Sequence, residues 1–421
     1  MKKTTTIAPG ISLVHQLSQQ FQTINLTITF ASKAQKGESA KRALLSYLMA
    51  VSSKKYPNQR LVSEALIDNF GAGFQTKVSS LGDLNLLTVS LQIIQPGLLP
   101  ESADLLVQSL DFLKEMIFNF DWQSSDSQAV LDQEKQNLIQ AILGRQDDKV
   151  LLALDQAREI TFADPAAQES VLGSVEEVRH LSLADLQRAQ SAMLNLDQVV
   201  VSVVGDVKTA DLANIFKSWP WPDNENRQTL TVEKPKLGPE LTLNQKKKDL
   251  TQAVLVQNYQ LHGDQAESHQ QNHYATLIFN TIFGASPASR LFTQVREKYS
   301  LAYNVSSRYQ SDLDLITVVA GFDARNLNKV QDLIRQQINF MQSDDIGSEA
   351  VENAKKVLIN DYLVRQDSPN FRVVSLAAQS LKQRETSEAD FIKGVRAVKT
   401  VDVQLIAQRL TPQTTYVLQP E

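Results

Sequence analysis

Two constellations in the chain have residue types and spacing suited to chemistry. Residues 269–273 read HQQNH, so His269 and His273 lie four apart. On a helix, two such imidazoles share a face and can chelate a metal ion. The position that would hold a general base is Asn272, and an amide has no useful basicity. The surrounding ESHQQNHYA is polar and reads as an exposed loop or a first helical turn. The second constellation is Arg296 and Tyr303, seven residues apart. A guanidinium is a fixed cation with several donors, and a phenol can donate a hydrogen bond to a developing tetrahedral oxyanion. Spacing alone favours a plainer reading, an exposed helix charge and a half-buried strand aromatic.

Composition narrows the classes of function. The 421 residues are 42% apolar and 21% charged, which excludes wholesale disorder. Lys and Arg total 42 against 47 Asp and Glu, for a net charge of −5. There is no basic excess to neutralise a phosphate backbone, so nucleic acid is not an expected partner. Cysteine is absent, which removes disulfides, thiolate nucleophiles and Cys-ligated metal sites and fits a reducing cytoplasm. No run of 18 apolar residues suggests a membrane span, and Thr4, Thr5, Thr6, Pro9 and Gly10 interrupt any leader-like apolar core after Lys2 and Lys3.

The elements that would position these residues are mixed. Residues 24–32 alternate like a strand, and 39–53 follow with Leu44, Leu45, Leu48 and Met49 at helical spacing. A helix over 61–70 ends at Gly71 and Gly73, and 74–93 form two strands around Gly82. Residues 101–119 and 127–160 read as helices, and Ser182 with Asp185 opens another through a capping box. The second half repeats strand (252–261), helices (272–283 and 288–298), two strands (302–321) and long helices (327–342 and 348–365).

This order is a repeat. DLNLLTV at 83–89 matches DLDLITV at 312–318 in five of seven positions at an offset of 229. The same offset pairs Gly73-Phe74 with Ala302-Tyr303. VRHLSLADLQ (178–187) resembles VRAVKTVDVQ (395–404), and each half closes on a β-rich segment. Pro220, Pro222, Pro235 and Pro239 mark a linker. The expected domains are 1–217 and 241–421, joined by a Pro-rich linker over 218–240. The expected fold class is α+β, two duplicated domains, each a largely antiparallel sheet with helices on one face. Trp219 and Trp221 read as a packing anchor between the halves.

Residues 288–305, ASRLFTQVREKYSLAYNV, resemble the SRLF…REK-x-GLAY signature of pitrilysin/insulinase-family zinc peptidases, the inverted H-x-x-E-H enzymes. FNTIFGAS (279–286) is similar to the family's N-x-I-L-G-G segment. VVGDV (203–207) and DQEKQNLIQAI (132–142) extend the resemblance to the first half. There the chain departs from the family. Laying RALLSYLMA (42–50) on the motif helix puts Ala43 and Tyr47 at the His positions and Ser46 at the Glu position, and Ala141 replaces the third ligand. These groups cannot ligate zinc, and no shift of register helps, because no His lies between His15 and His180.

The resemblance therefore implies the fold and denies the metal: no cofactor in this chain, with zinc expected in a partner. It implies a non-catalytic subunit, inactive alone, of a heterodimeric metallopeptidase. An H-x-x-E-H-bearing paralogue would be the partner, with a peptide as substrate. Arg296 and Tyr303 would complete the site in trans. The start of the chain, with ALLSYLMAVSSKKYPN, looks like the YmfF-type bacterial members that lack H-x-x-E-H. The alternative is an inactive scaffold or binding protein of the same fold, linked through that group to modification of elongation factor P. Arg290 is expected to be structural, its stem packed and its head paired to a carboxylate. Glu134 and Lys135 are expected on a solvated helix face.

Overall fold

A computed structural model describes residues 2–248, 250–263, 269–343 and 346–421, without the side chains of residues 269–271. The first half runs β1 (Lys2–Ala8), β2 (Ile11–Leu17), β3 (Thr23–Lys33), α1 (Ser39–Val51), α2 (Gln59–Asp68), β4 (Gly73–Leu81) and β5 (Leu84–Ile94). It continues through α3 (Leu105–Phe118), α4 (Ser127–Asp147), α5 (Lys149–Thr161), α6 (Pro165–Gln168), α7 (Val175–His180), α8 (Leu183–Leu196), β6 (Gln198–Gly205) and α9 (Thr209–Lys217). The second half has β7 (Leu241–Lys247), β8 (Ala253–Leu261), α10 (His269–Asn280), two π-helical segments (Thr281–Ala285 and Leu291–Lys298), β9 (Ala302–Gln310) and β10 (Leu315–Phe322). Then come α11 (Leu327–Ser343), α12 (Ser348–Gln366), α13 (Pro369–Leu381), α14 (Glu388–Ala397), α15 (Thr400–Gln408) and β11 (Leu410–Pro420).

The strands form two sheets of one design. The first has the order β1-β2-β6-β3-β5-β4 and the second β7-β11-β8-β10-β9. In each, one pairing is parallel (β2 with β6, β7 with β11) and the three that follow it across the sheet are antiparallel. Register preserves the sequence repeat. Phe30 faces Leu87 in the first sheet and Tyr259 faces Ile316 in the second, and both members advance by the same 229 residues. The extra strand is β1, at the edge of the first sheet. The two duplicated α+β domains are thus visible in topology and in register.

The compact units are interleaved along the sequence. One comprises Met1–Gly144, Glu169–Glu233 and Arg365–Glu385; the other comprises Arg145–Gln168, Lys234–Val364 and Thr386–Glu421. A cut within 218–240 therefore separates most of the two units and leaves α5 and α6 with the second and α13 with the first. In the first unit α13 lays Val373, Leu376, Ala377 and Leu381 on Val14, Val200 and Val204 of the sheet. In the second, Ala153 and Ala157 of α5 cover Val254, Val256, Tyr416 and Leu418. Each sheet thus carries a layer of helices on one face, as expected, and in addition a single helix on the other. Double coverage explains why β6, QVVVSVVG, is apolar without alternation and buried throughout.

The break that produces the exchange is local. The expected helix 127–160 divides at Asp148, whose carboxylate accepts from the backbone N–H groups of Val150 and Leu151 and starts α5 afresh. Trp219 and Trp221 lie within the first unit. Trp219 is edge-on to Phe216, Trp221 is edge-on to Phe118, and the Trp221 indole donates to the Phe216 carbonyl at 2.8 Å. They fix the start of the Pro-rich stretch to its own core, correcting the expectation of an anchor between halves.

Candidate functional site

In the first unit, α1 is buried on two sides. Leu45 and Met49 face the sheet, and Ala43, Leu44 and Leu48 pack on Leu131, Leu138 and Ile142 of α4. Ala43 presents only a methyl group to this core. The Ser46 hydroxyl is turned back onto its own helix and donates to the Ala43 carbonyl at 2.7 Å. Thr76 of β4 donates to the Ser46 carbonyl at 2.6 Å and ties the helix to the edge strand. Tyr47 is half-buried, and its phenol is pushed up first by burial and then by the nearby Glu134 carboxylate. Ala141 is half-buried on α4.

Glu134 itself is 6% exposed, which corrects the expectation of a solvated face. Burial raises its carboxyl, partly offset by the Asn137 amide, which donates to it at 3.0 Å. The spacing Leu131, Glu134, Leu138, Ile142 places Glu134 on the stripe that faces α1, a signal present in the sequence. Lys135 is half-buried, and its ammonium donates to the Arg179 carbonyl. A methyl, a tied hydroxyl and a phenol do not supply the three protein ligands of a catalytic zinc. Among the described residues no three His, Cys, Asp or Glu side chains form a metal-holding group.

In the HQQNH segment the backbone is helical from His269, the first turn of α10. The His269 side chain lies outside the described residues. His273 stacks at an angle between Tyr274 and Tyr309, and the Asn272 carbonyl oxygen accepts from Arg409 at 3.3 Å.

The second unit holds Arg296 and Tyr303 on adjoining elements. Leu291 and Val295 bury one side of the second π-helical segment, and Arg296, next in line, is exposed with its guanidinium over the Phe292 ring at 4.7 Å. Arg290 turns inward. It donates twice to the Gln337 carboxamide and stacks on Phe340 at 3.4 Å. The segment closes at Ser300, which has φ of 50°. That left-handed position is where the resembling signature carries Gly.

Tyr303 follows at the start of β9, 61% exposed. Ala302 pairs with Phe322 and Asn304 with Gly321, so Tyr303 is the extra residue of a β-bulge at the sheet edge. Bulges re-aim side chains in this way. Two contacts hold the bulge. The Asn304 carbonyl oxygen accepts from the Gly321 N–H at 2.7 Å, and a Cβ at Gly321 would meet that oxygen at 2.5 Å. Three positions further along, the buried Ser307 hydroxyl donates to the Asn280 carboxamide at 2.6 Å. Gly284 makes room for it, because a Cβ there would lie 2.5 Å from Ser307 Oγ. The NTIFGA and SRLF…LAY segments thus fix one another. Among the described residues no hydrogen bond or ion pair engages the Arg296 guanidinium or the Tyr303 hydroxyl.

Comparisons with known proteins agree with this geometry. Residues 180–358 match the family described as Peptidase M16 inactive domain. The chain is 26% identical over 408 residues to a probable inactive metalloprotease, YmfF, of Bacillus subtilis, covering 95% of this chain and 94% of that protein. An uncharacterized zinc protease of the same organism, YmxG, is 24% identical and covers 63% of each chain. Among solved structures, a conserved protein from Enterococcus faecalis superposes with a TM-score of 0.89 at 27% identity, covering 100% of this chain and 99% of that one. An M16 inactive domain from Pseudomonas fluorescens shares the fold, with a TM-score of 0.80 at 16% identity and coverage of 100% and 98%.

Proposed function

From its similarity to the M16 peptidases and their inactive domain, we propose that this chain is the zinc-less subunit of a heterodimeric metallopeptidase. The observation that carries the reading is the division of the motif residues. Laid on the resembling motif, the ligand positions carry Ala43, Tyr47 and Ala141 and the base position carries Ser46, while Arg296 and Tyr303 are exposed and, in the case of Tyr303, aimed outward by a locked bulge. The partner is an H-x-x-E-H-bearing paralogue that supplies zinc and the general base. A peptide held there presents its scissile carbonyl to the Tyr303 hydroxyl, which donates to the oxygen as negative charge develops. Arg296 holds a carbonyl or carboxylate of the same peptide through its planar set of donors. A cysteine-free chain suits the reducing cytoplasm, where we place the pair.

The experiment is reconstitution. The paralogue alone, this chain alone and the mixture are assayed for zinc-dependent cleavage of an unstructured peptide, and the mixture is sized by light scattering. A heterodimer with activity absent from either chain supports the reading. A paralogue equally active alone, with no complex formed, removes it and leaves the scaffold function in its place.

A further inference from the structure

The two sheets differ at one edge. In the first, β2 lies parallel to β6, and its other side is covered by β1, which pairs with it antiparallel. In the second, β7 takes the place of β2, parallel to β11, and among the described residues no strand pairs with its outer side. All seven residues of β7 are exposed, and among the described residues no backbone hydrogen bond reaches that outer edge. An edge of this kind offers a row of N–H and C=O groups to another strand. Lysine along an edge is a usual guard against such pairing. Here Lys246 and Lys247, followed by Lys248, close one end of the strand only, and Leu241 to Gln245 carry no charge.

The open stretch continues a core. In the register of β7 on β11, Leu243 lies beside Tyr416 and Gln245 beside Leu418. Tyr416 and Leu418 belong to the apolar layer beneath α5. That layer runs out through Leu243, 40% exposed, with Leu241 exposed next to it on the same face. The other face carries Glu240, just before the strand, and Lys246 near its end. Opposite charges at the two ends of one strand complement each other when the strand meets its own copy antiparallel. Opposed residues in an antiparallel pair share a face, so even positions must meet even and odd meet odd. A pairing centred on Leu243 sets Leu243 against Leu243, Leu241 against Gln245 and Glu240 against Lys246. The two lysine runs then lie about 20 Å apart along the strands, beyond the reach of exposed charges at physiological salt.

We propose that β7 is a self-association edge: two copies of this chain pair their β7 strands antiparallel about a two-fold axis at Leu243 and join their five-stranded sheets into one of ten. The contact is isologous, so each copy contributes the same residues. It lies at the opposite edge of the sheet from β9 and Tyr303, about 19 Å away across four strand spacings, and does not depend on the peptidase reading. The test is sedimentation velocity of the full chain over a range of concentrations, with amide exchange read in parallel. A monomer–dimer equilibrium with Kd on the order of 10 μM is expected, the scale of a small interface, and the amides of 241–247 gain protection as the dimer fills. Leu243→Lys, which opposes two ammonium groups, is expected to weaken dimerisation about tenfold or more. Glu240→Lys and Lys246→Glu each turn two ion pairs into two like-charge contacts and weaken it about tenfold, and the chain carrying both substitutions recovers the parental Kd. These three positions are exposed, so folding is retained, as circular dichroism checks. A chain that stays monomeric, which would leave the edge to a strand of another protein, overturns the proposal. So does a dimer indifferent to Leu243→Lys, or a double variant no better than the singles.

Discussion

Ser300 shows a constraint written into a single residue. Its φ of 50° is a conformation that costs an L-residue about 1 kcal/mol or more, which glycine avoids. Ser300→Gly is expected to leave stability unchanged or raise it by up to about 1 kcal/mol, while Ser300→Val, β-branched, lowers it by about 2 kcal/mol or more; urea unfolding distinguishes them. Glu134 carries the opposite lesson. Its carboxyl is raised by burial, so the folded state binds more protons than the unfolded one above the unfolded value. The stability it contributes is complete below that value and is lost as pH rises through the raised folded one. Glu134→Gln should therefore be more stable than the parent near neutral pH and flatten the decline, as melting curves across pH 4 to 8 will show. That Ala43, Ser46, Tyr47 and Ala141 differ from the residues of the resembling motif is legible in the sequence alone, because these are side-chain identities. The burial of Glu134 required its phase on α4 relative to Leu131 and Leu138, which a charged residue conceals.

At the scale of elements, the sequence disclosed most strands and the long helices through periodicity, and the repeat through DLNLLTV and DLDLITV. It concealed the exchange of α5 and α13. The apolar period runs on from α4 into α5, and the stop is a single capping aspartate, Asp148. Nothing local in α13 states which sheet its apolar face will meet. Leu376→Ala should cost about 2–4 kcal/mol and speed amide exchange in β3 and β6 while leaving β8 and β10 protected, because α13 covers the first sheet. The clamp between motif segments gives a second expectation. Gly284→Ala drives a Cβ to 2.5 Å from Ser307 Oγ and 2.8 Å from a Leu291 methyl. It should destabilise the second unit by about 1–3 kcal/mol, and Ser307→Gly in the same chain should recover part of the loss, a coupling that a double-mutant cycle measures.

At the scale of the molecule, duplication of the fold does not entail duplication of the chemistry. In one unit Ala43 and Ser46 are buried and Tyr47 and Ala141 half-buried, and the other unit carries an exposed cation and phenol at a sheet edge. On the proposed reading these two side chains act only beside a partner that supplies the metal and the general base. The most direct measurement is kcat for peptide cleavage by the reconstituted pair, with Tyr303→Phe in this chain compared against the parent. Loss of one hydroxyl donor to the developing oxyanion predicts a fall on the order of a hundredfold, with pair formation and KM little changed. An unaltered kcat would contradict the account.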